Sequence, residues 1–546
     1  MKIINNILFV VVCLVFLLSS VRGINGNPDI SELRQEKWTN SGPFELSPER
    51  GRFALLYSLI EEKSIFFSEQ VARFALPDLG LKNGKYVSLF APGVSFIVIP
   101  GYLIGKLLGA SQVGTFFVIS IFAAINALLV KKIAYKLGSG EITSILSALA
   151  FLFATPAFSY AVNLYQHHIS TFLILAGVHL VLKKENLKND LLVWFLFGVG
   201  ILVDYPNFFL MLPLVLVTLF RLFNVEIKKT VYKIRLNLWK ILAVVGIILP
   251  ILVFVNYNKE AYGSPYVLSG TVENIRDIDP NGVPIHFGGK TIDSDPEDSS
   301  YEARKPFDFF KSRNLINGFY ILVFSPDRGM IAFAPLILFA TLGLFELMRR
   351  KKLSAILLAI AGINLIIYSM WGDPWGGWAF GSRYLIPLYA AMSVFLGIAL
   401  EKYRRDKLFM LMVMIAFIYS FSVNTLGALT TSANPPEVEA GSLSILSGHQ
   451  EKITFERNLD YLLNSGTKSF VYNTYLSNYI TPIQFFLMIS LSLATISTIS
   501  IIYITVFSYD SELEFTLKTQ GVWRNLRMDI SIRNRLITAL RSIGLF

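Results

Sequence analysis

The stretch WGDPWGGWAFGSRYLIPLYAAMSVFLGIALEKYRR (residues 371–405) shows the pattern that decides the fold of this chain. An aromatic and glycine-rich segment leads into an apolar run, and a cluster of basic residues follows that run. Basic residues collect beside the cytoplasmic ends of membrane helices. The stretch therefore predicts one membrane crossing, with the aromatic segment on the outer side and the basic cluster on the inner side.

The composition extends this interpretation to the whole chain. Its 546 residues are 53% hydrophobic and 16% charged, which is too apolar for a soluble domain of this length. The net charge of +11 comes from clusters beside apolar runs, so it indicates membrane topology and argues against a nucleic-acid partner. The single cysteine, Cys13, excludes an internal disulfide and a Cys-based metal site. We predict an all-α polytopic membrane protein.

The same rule, applied to every apolar run, predicts about twelve crossings and 11–13 transmembrane helices. The first run is either a cleaved signal peptide or a retained helix, and both place the following segment outside. The predicted spans are residues 5–21, 142–162, 168–182, 191–204, 207–220, 241–255, 329–348, 353–370, 385–400, 408–424 and 484–507, with one more inside 91–130.

Residues 91–130 need separate treatment, because they contain two apolar runs broken by Lys106 and by 109–114. Two full crossings would put Lys131 and Lys132 outside, against the charge rule. A single net crossing is preferred, with APGVSFIVIPG (91–101) dipping into the membrane or lying at its outer surface. A third crossing hidden there would give the same sides.

The predicted organisation follows from these spans. It consists of a first transmembrane helix or signal anchor (1–22), a first extracytoplasmic loop with juxtamembrane helices (23–90), transmembrane helices (91–255), an extracytoplasmic loop (256–328), transmembrane helices with the WGGWAFGSRY loop (329–424), an extracytoplasmic segment (425–483), the last transmembrane helix (484–507) and a basic cytoplasmic tail (508–546). The unusual polar and aromatic motifs all fall outside, so one outer cavity is expected to gather them.

The first outer loop contains a predicted helix start at Ser47-Pro48-Glu49, with Ser47 as the cap and Pro48 in the first turn. Glu49 and Arg52 are three residues apart and share a helix face. Spacing alone favours a surface ion pair over a carboxylate aimed at a cavity. Farther along this loop, Lys85 and Tyr86 are expected to be either an interfacial anchor or a contact to phosphate.

Other candidates lie at predicted outer helix ends. His167 and His168 point to different helix faces, which disfavours metal chelation and favours hydrogen bonding to sugar or phosphate. Asp204 is expected to be either a helix cap or part of a cavity lining. Arg328 and Arg383 suit a phosphate, although an interfacial pair with a neighbouring acid also explains Arg328.

The motifs occur in a recognisable order: an acid before RFA (52–54), GKYVSLFAPG (84–93), NLYQHH (163–168), VDYPN (203–207), GSPY (263–266), LVFSPDRGMIAFAP (322–335) and WGGWAFGSRYLIP (375–387). In this order they resemble the GT-C superfamily of membrane glycosyltransferases, particularly the branch that contains protein O-mannosyltransferases and lipid A aminoarabinose transferases. The resemblance covers most of residues 1–430.

The resemblance implies a catalytic base in the first outer loop. Aligned on Arg52, this base is Glu49, with Glu61, Glu62 and Asp78 as fallback candidates. Arg50 stands where the family has a second acid, and Phe90 replaces a lysine, so phosphate neutralisation is expected from Lys85, Arg328 or Arg383. The implied donor-binding set is Arg52, Lys85, Tyr86, Tyr165, His167, His168, Asp204, Arg328, Trp375, Arg383 and Tyr384.

The predicted function is an inverting hexosyl- or pentosyltransferase of the cytoplasmic membrane, with its active site on the extracytoplasmic face. Its partners are a polyprenyl-phosphate-linked sugar, membrane lipids and a glycan, lipid or protein acceptor. No cofactor is required; a divalent metal is left open but not indicated, and DSDPEDSS (293–300) lacks the spacing of an EF-hand loop.

Two other functions are alternatives to a glycosyltransferase. A transporter or flippase of lipid-linked glycans would show charged or broken helices at the midplane and two repeated halves, and neither is visible in the sequence. An oligosaccharyltransferase resembles the family too, but WGDPWGG does not match its Trp-Trp-Asp signature, and residues 425–483 are too few for its soluble domain.

Overall fold

The computed structural model describes residues 2–183, 185–228, 231–286, 305–348 and 354–520. The basic quartet at 349–352, the acidic run at 293–300 and the basic tail after residue 520 lie outside the described residues. Within them the chain is predominantly helical, and six helices are long and apolar enough to cross a membrane. These are Ile3–Ser20, Ser111–Leu137, Leu238–Tyr262, Arg383–Lys402, Lys407–Leu429 and Pro482–Val506. The predicted all-α polytopic architecture is confirmed.

Most predicted spans are helices, because apolar runs of this length satisfy their own backbone hydrogen bonds only as helices. Two differ: the span predicted at 142–162 is interrupted after Phe153, and the span predicted at 329–348 is divided into Met330–Phe333, a 3-10 segment at Pro335–Phe339 and Ala340–Met348. In chain order they are α1 (Lys2–Ser20), α2 (Ile30–Leu33), α3 (Ser47–Tyr57), α4 (Glu69–Ala75), α5 (Gly93–Ile97), α6 (Ile99–Leu107), α7 (Ser111–Leu137), α8 (Glu141–Phe153), α9 (Ala157–Tyr160), α10 (His167–Val181), α11 (Leu187–Val203), α12 (Asn207–Phe220), α13 (Ile248–Tyr262), α14 (Leu315–Val323), α15 (Met330–Phe333), α16 (Ala340–Met348), α17 (Ser354–Ser369), α18 (Ile386–Lys402), α19 (Lys407–Leu429), α20 (Glu437–Ser447), α21 (Phe455–Asn464) and α22 (Pro482–Gln520). A 3-10 segment, Leu238–Ile247, runs directly into α13, so this membrane-length helix ends seven residues after the predicted boundary at 255.

Contacts between helix ends define two ends of the bundle. At the lower end, Lys131 Nζ near the end of α7 donates to Asn6 Oδ1 near the start of α1 (3.1 Å). At the upper end, the backbone N–H of Arg22, just after α1, donates to the carbonyl of Val162 (3.1 Å). The basic clusters that end α7 and α18 lie at the lower end, and the polar motifs lie at the upper end.

The segment between residues 91 and 110 begins and ends at the upper end. Gly93 lies against the backbone of Leu202, at the end of α11. After α6, the Gly109 carbonyl accepts from Gly26 N–H at 2.9 Å. A Cβ on Gly114 would lie 2.3 Å from the Gly101 carbonyl oxygen, so glycine lets α6 fold back tightly on α7. Of the helices in this region, α7 is the one long and apolar enough to cross a membrane.

A small sheet at the upper end was not predicted. Its order is β2-β1-β5-β6, all antiparallel, and a second pair joins β3 to β4 at the lower end. The strands are β1 (Leu79–Lys82), β2 (Lys85–Ser88), β3 (Phe223–Lys228), β4 (Val231–Leu236), β5 (Glu273–Ile278) and β6 (Pro284–His286). The upper sheet joins the first outer loop to the segment after α13, so these two regions form one unit.

A buried charged network joins the upper loops. Glu45 Oε1 accepts from Arg22 Nη1 (2.6 Å), and Glu45 Oε2 accepts from Lys468 Nζ (2.6 Å). The same carboxylate accepts from Thr431 Oγ1 (2.6 Å) and from the N–H of Ser432 (2.5 Å). Four donors therefore satisfy one buried carboxylate, and the network fixes the first outer loop to the segments that follow α19 and α21.

Candidate functional site

A cavity of about 590 Å³ lies at the upper end of the bundle. It is lined by the start of α3, the loop before α10, the ends of α11 and α17, the start of α12, part of α13, and the segments 268–270, 307–310 and 383–384. Most lining side chains are aliphatic or aromatic. Among the described residues that line it, the charged ones are Arg52, Asp204 and Arg383. The cavity thus combines an apolar wall with a few convergent polar groups, as ligand sites do.

A relay of hydrogen bonds joins two of these charged groups. Arg52 Nη1 donates to the Pro48 carbonyl (2.7 Å), and Arg52 Nη2 donates to Gln166 Oε1 (2.6 Å). The amide Nε2 of Gln166 donates in turn to Asp204 Oδ2 (3.3 Å). The guanidinium carbon of Arg52 lies 4.4 Å from the centre of the Phe90 ring. Gln166 therefore holds the carboxylate and the guanidinium in one fixed arrangement.

Arg383 has donors that no described residue uses. Its Nη2 donates to the Gly376 carbonyl (2.5 Å), but the buried Nε and Nη1 have no hydrogen-bond partner. Its guanidinium carbon lies 5.0 Å from the centre of the Tyr165 ring, and that of Arg52 lies 5.7 Å from the same ring. Unpartnered buried donors are costly, so this position suits an anionic ligand with several acceptor atoms.

The glycine-rich loop before α18 positions Arg383. Gly376 has φ +73°, a backbone conformation that side chains with a Cβ rarely adopt. A Cβ at this position would also lie 3.0 Å from the Tyr384 ring. The loop therefore turns back on itself, and the carbonyl of Gly376 meets the guanidinium seven residues later.

Aromatic pairs form one wall of the cavity. Tyr368 and Tyr384 are stacked, with ring centres 4.5 Å apart and planes inclined by 8°. Phe309 stacks on Trp371 with centres 5.5 Å apart, and Gly372 N–H donates to the Phe309 carbonyl (2.8 Å). These flat rings give the lumen apolar faces of the kind that sugar rings and prenyl chains contact.

Glu49 is buried beside the cavity but does not line it. Its Oε2 accepts from Leu46 N–H (3.3 Å), and its Oε1 has no partner. Burial, followed by the charge of Glu45, raises the pKa of Glu49 to about 8. Its neighbour Pro48 lines the lumen, and the Glu49 charge acts on Tyr165, which lines it too. Glu49 therefore lies directly behind the cavity wall.

Two local predictions for this helix are wrong. The cap of α3 is Leu46, and Ser47 is its first helical residue, with Oγ donating to Asp78 Oδ2 (2.6 Å). The expected surface ion pair between Glu49 and Arg52 does not form, because both side chains are buried and the Arg52 donors go to Pro48 and Gln166. Helix α3 is buried against the bundle, so its side chains do not form the surface ion pair that their spacing predicted.

Several predicted site residues lie away from the lumen. Arg328 makes four hydrogen bonds to backbone carbonyls, those of Asp327, Trp375, Gly377 and Asn434, so it joins loops together. Trp375 contributes that carbonyl and does not line the cavity.

Four other predicted site residues also lie outside the cavity lining: His167, His168, Lys85 and Tyr86. His168 Nε2 bonds to the Ala157 carbonyl (2.8 Å) and is part of the packing, whereas His167 stacks on Tyr165 with its Nε2 unpartnered, one layer behind the lining. Lys85 and Tyr86 lie on β2, outside the lumen; the Lys85 Nζ lies 4.2 Å from the Phe66 ring centre.

The fallback acids also bond elsewhere. Glu61 pairs with Lys106 Nζ (2.7 Å), and Glu62 Oε1 accepts from Ser68 Oγ (2.6 Å). None of the three fallback acids lines the cavity. Of the predicted set, Arg52, Tyr165, Asp204, Arg383 and Tyr384 meet around one lumen.

Sequence reasoning missed four residues that line the cavity: Gln166, Phe309, Tyr368 and Trp371. Gln166 lies in the motif NLYQHH (163–168), where a polar side chain between Tyr165 and His167 could have indicated a site residue. Phe309 carried no signal, because it lies in a polar loop far from any quoted motif.

The fold defines a polytopic helical membrane protein with a mostly apolar cavity at one end of its bundle. No family model matches the chain, and no curated protein does. Among solved structures, ArnT from Cupriavidus metallidurans is similar in the apo state and bound to undecaprenyl phosphate, in both cases over 92% of this chain and 77% of that one, at 14% identity and a TM-score of 0.42.

The oligosaccharyltransferase of Archaeoglobus fulgidus, in complex with zinc and sulfate, is similar over 87% of this chain and 58% of that one, at 12% identity and a TM-score of 0.36.

Proposed function

We propose that this chain is a membrane glycosyltransferase that moves a sugar from a polyprenyl-phosphate carrier to an acceptor. The observation that supports this most directly is Arg383, a buried guanidinium with two donor atoms that no described residue uses, beside a mostly apolar, aromatic-walled cavity. A phosphate supplies the acceptor oxygens that these donors need, and an isoprenoid chain suits the remaining wall.

The lipid chain of the donor is proposed to enter beside α13. Ile251 and Phe254 of this helix line the cavity, whereas Leu249 and Leu252 on its other faces are exposed. A helix with apolar side chains on both sides suits a boundary between lipid and lumen. The phosphate then lies at the polar end, where Arg383 and Arg52 stabilise the negative charge that develops on it as the leaving group.

Glu49 is proposed as the base, following the resemblance. Once Glu49, whose pKa is raised to about 8, has lost its own proton, its carboxylate accepts the proton of the acceptor hydroxyl, and the hydroxyl oxygen bonds to the anomeric carbon. The bond from that carbon to the phosphate oxygen breaks, and its electron pair stays on the phosphate. Attack opposite the leaving group inverts the anomeric centre. This role requires the first turn of α3 to present Glu49 to the lumen when the acceptor binds.

The basic lower end is proposed to be cytoplasmic, and the cavity therefore opens on the extracytoplasmic side. An acceptor in the cell envelope, whether glycan, lipid or protein, would approach from that side.

The test uses the purified protein in nanodiscs, labelled polyprenyl-phosphate sugars and envelope extract from a deletion strain as acceptor. We expect sugar transfer, a loss of about 100-fold in kcat/KM for Arg383→Gln, and wild-type activity for Lys85→Gln, whose cation lies outside the cavity. Glu49→Gln should abolish turnover and leave donor binding intact. Movement of the intact lipid-linked sugar between leaflets, without bond cleavage, would instead establish the transporter alternative.

A further inference from the structure

The charges that line the cavity limit which sugar it can hold. Arg52 and Arg383 contribute two positive charges and Asp204 one negative charge, whereas Glu49, whose pKa is raised to about 8, is mainly protonated near neutral pH and adds none, so these groups sum to +1. A polyprenyl-phosphate sugar carries one negative charge on its phosphodiester. With the donor bound, the charges of the lining groups and the phosphodiester therefore sum to zero if the sugar itself is uncharged. Beside a mostly apolar wall that limits contact with water, an unbalanced charge is unfavourable.

Asp204 has the geometry of a group that binds a ligand. Its Oδ2 accepts from Gln166, and its Oδ1 accepts no hydrogen bond from a described residue, although Asp204 lines the lumen. The guanidinium of Arg52, which is joined to Asp204 through Gln166, favours the ionised form of the carboxylate. The other groups that face it, Tyr205, Tyr368 and Tyr384, do not compensate its charge.

The carboxylate lies next to stacked aromatic faces. Tyr368 lines the lumen, and its ring lies within the electrostatic reach of Asp204. A flat ring beside a carboxylate suits a sugar, whose C–H groups contact the ring while its hydroxyl groups donate to the carboxylate.

We propose that the transferred sugar is uncharged and that Asp204 binds its hydroxyl groups, so that Asp204 determines donor specificity. This rests on the proposed function, because the charge sum includes the donor phosphate. A sugar with an ammonium group would leave the lumen at +1, and a uronic acid would leave it at −1. Arg52, held through Gln166, positions Asp204 for this contact.

The experiment measures binding, so it needs no acceptor. Three farnesyl-phosphate donors, matched except at C6, are titrated into the protein in nanodiscs at pH 7.5: glucose, 6-amino-6-deoxyglucose and glucuronic acid. The wild type should bind the glucose compound about tenfold more tightly than either charged compound. The Asp204→Asn variant should bind the glucuronic acid compound more tightly than the glucose compound, because the charges of Arg52, Arg383, the phosphodiester and the uronate then sum to zero.

Two variants serve as controls. Asp204→Glu keeps the charge and should keep the preference for glucose, and Glu61→Gln, which removes a carboxylate outside the cavity, should behave as the wild type. Equal or tighter binding of a charged donor by the wild type would overturn the inference, as would an Asp204→Asn variant that gains nothing for glucuronate. If the wild type bound none of the three donors, the proposed function would fail first, and the inference with it.

Discussion

Replacement of Glu45 by Gln tests how the upper loops are held together. The Glu45 carboxylate lies between Arg22 Nη1 and Lys468 Nζ, each at 2.6 Å, and all three side chains are buried. Burial alone would raise the pKa of Glu45, but the charges of Lys468 and Arg22 outweigh burial and lower it to about 2. Gln removes the negative charge and leaves two buried cations without a counter-charge.

The expected cost follows from this burial. Removing one partner of a buried, hydrogen-bonded ion pair costs about 3–5 kcal/mol, because the remaining charge stays desolvated. A matched control is Glu61→Gln, which breaks the pair with Lys106 (2.7 Å), whose side chains are 25% and 44% exposed. A partly exposed pair of this kind contributes below about 1 kcal/mol.

Thermal unfolding in detergent, followed by tryptophan fluorescence, separates the two variants. We expect Glu45→Gln to lower the apparent Tm by about 5–10 °C and Glu61→Gln by about 2 °C or less. The double variant Glu45→Gln with Lys468→Met should lose less stability than the sum of the single variants, because one unpaired cation has been removed. A Glu45→Gln variant as stable as the Glu61→Gln control would refute the reasoning.

Three further outcomes are expected. The pKa of Glu49 is raised from 4.5 to about 8. The folded state thus holds this proton more tightly than the unfolded state, so the stabilisation is complete below about pH 4.5 and is lost as the pH rises through about 8. Glu49→Gln should flatten the fall of Tm between these values; an unchanged pH profile would show that the buried group is not Glu49. Gly376→Ala should lower donor affinity about tenfold or more, because a Cβ is strained at φ +73° and contacts the Tyr384 ring. The control is Gly362→Ala in α17, where a Cβ meets nothing within 4 Å, and it should be neutral or slightly stabilising. Equal effects of the two variants in binding assays would contradict the positioning role of the loop. Trp371→Ala should weaken donor binding about tenfold, because it removes the ring on which Phe309 stacks. Trp378→Ala should leave donor binding unchanged, because the Trp378 indole donates to Glu439 (2.8 Å) outside the cavity. Loss of donor binding in the Trp378 variant alone would place the site elsewhere.

Local patterns predicted the helices well and the small sheet not at all. An apolar run with a basic end is readable along the chain, because each helix satisfies its own backbone and its flanks carry the charge signal. The upper sheet pairs β1 with β5, which is nearly two hundred residues away, so no local period announced it. Likewise, Ser47 has the residue type of a cap, but its hydroxyl bonds to Asp78 through a tertiary contact.

The sequence alone predicted the class of the molecule and placed its unusual polar and aromatic residues in the segments between the apolar runs. It could not distinguish Arg328 from Arg383, since both are arginines at helix starts beside aromatic and glycine residues. Only the tertiary structure separated them: carbonyls of distant loops occupy the Arg328 donors, whereas two Arg383 donors remain free beside the lumen. The physical reason is that hydrophobicity and charge act on neighbours along the chain, while the use of each polar atom depends on residues that only folding brings together.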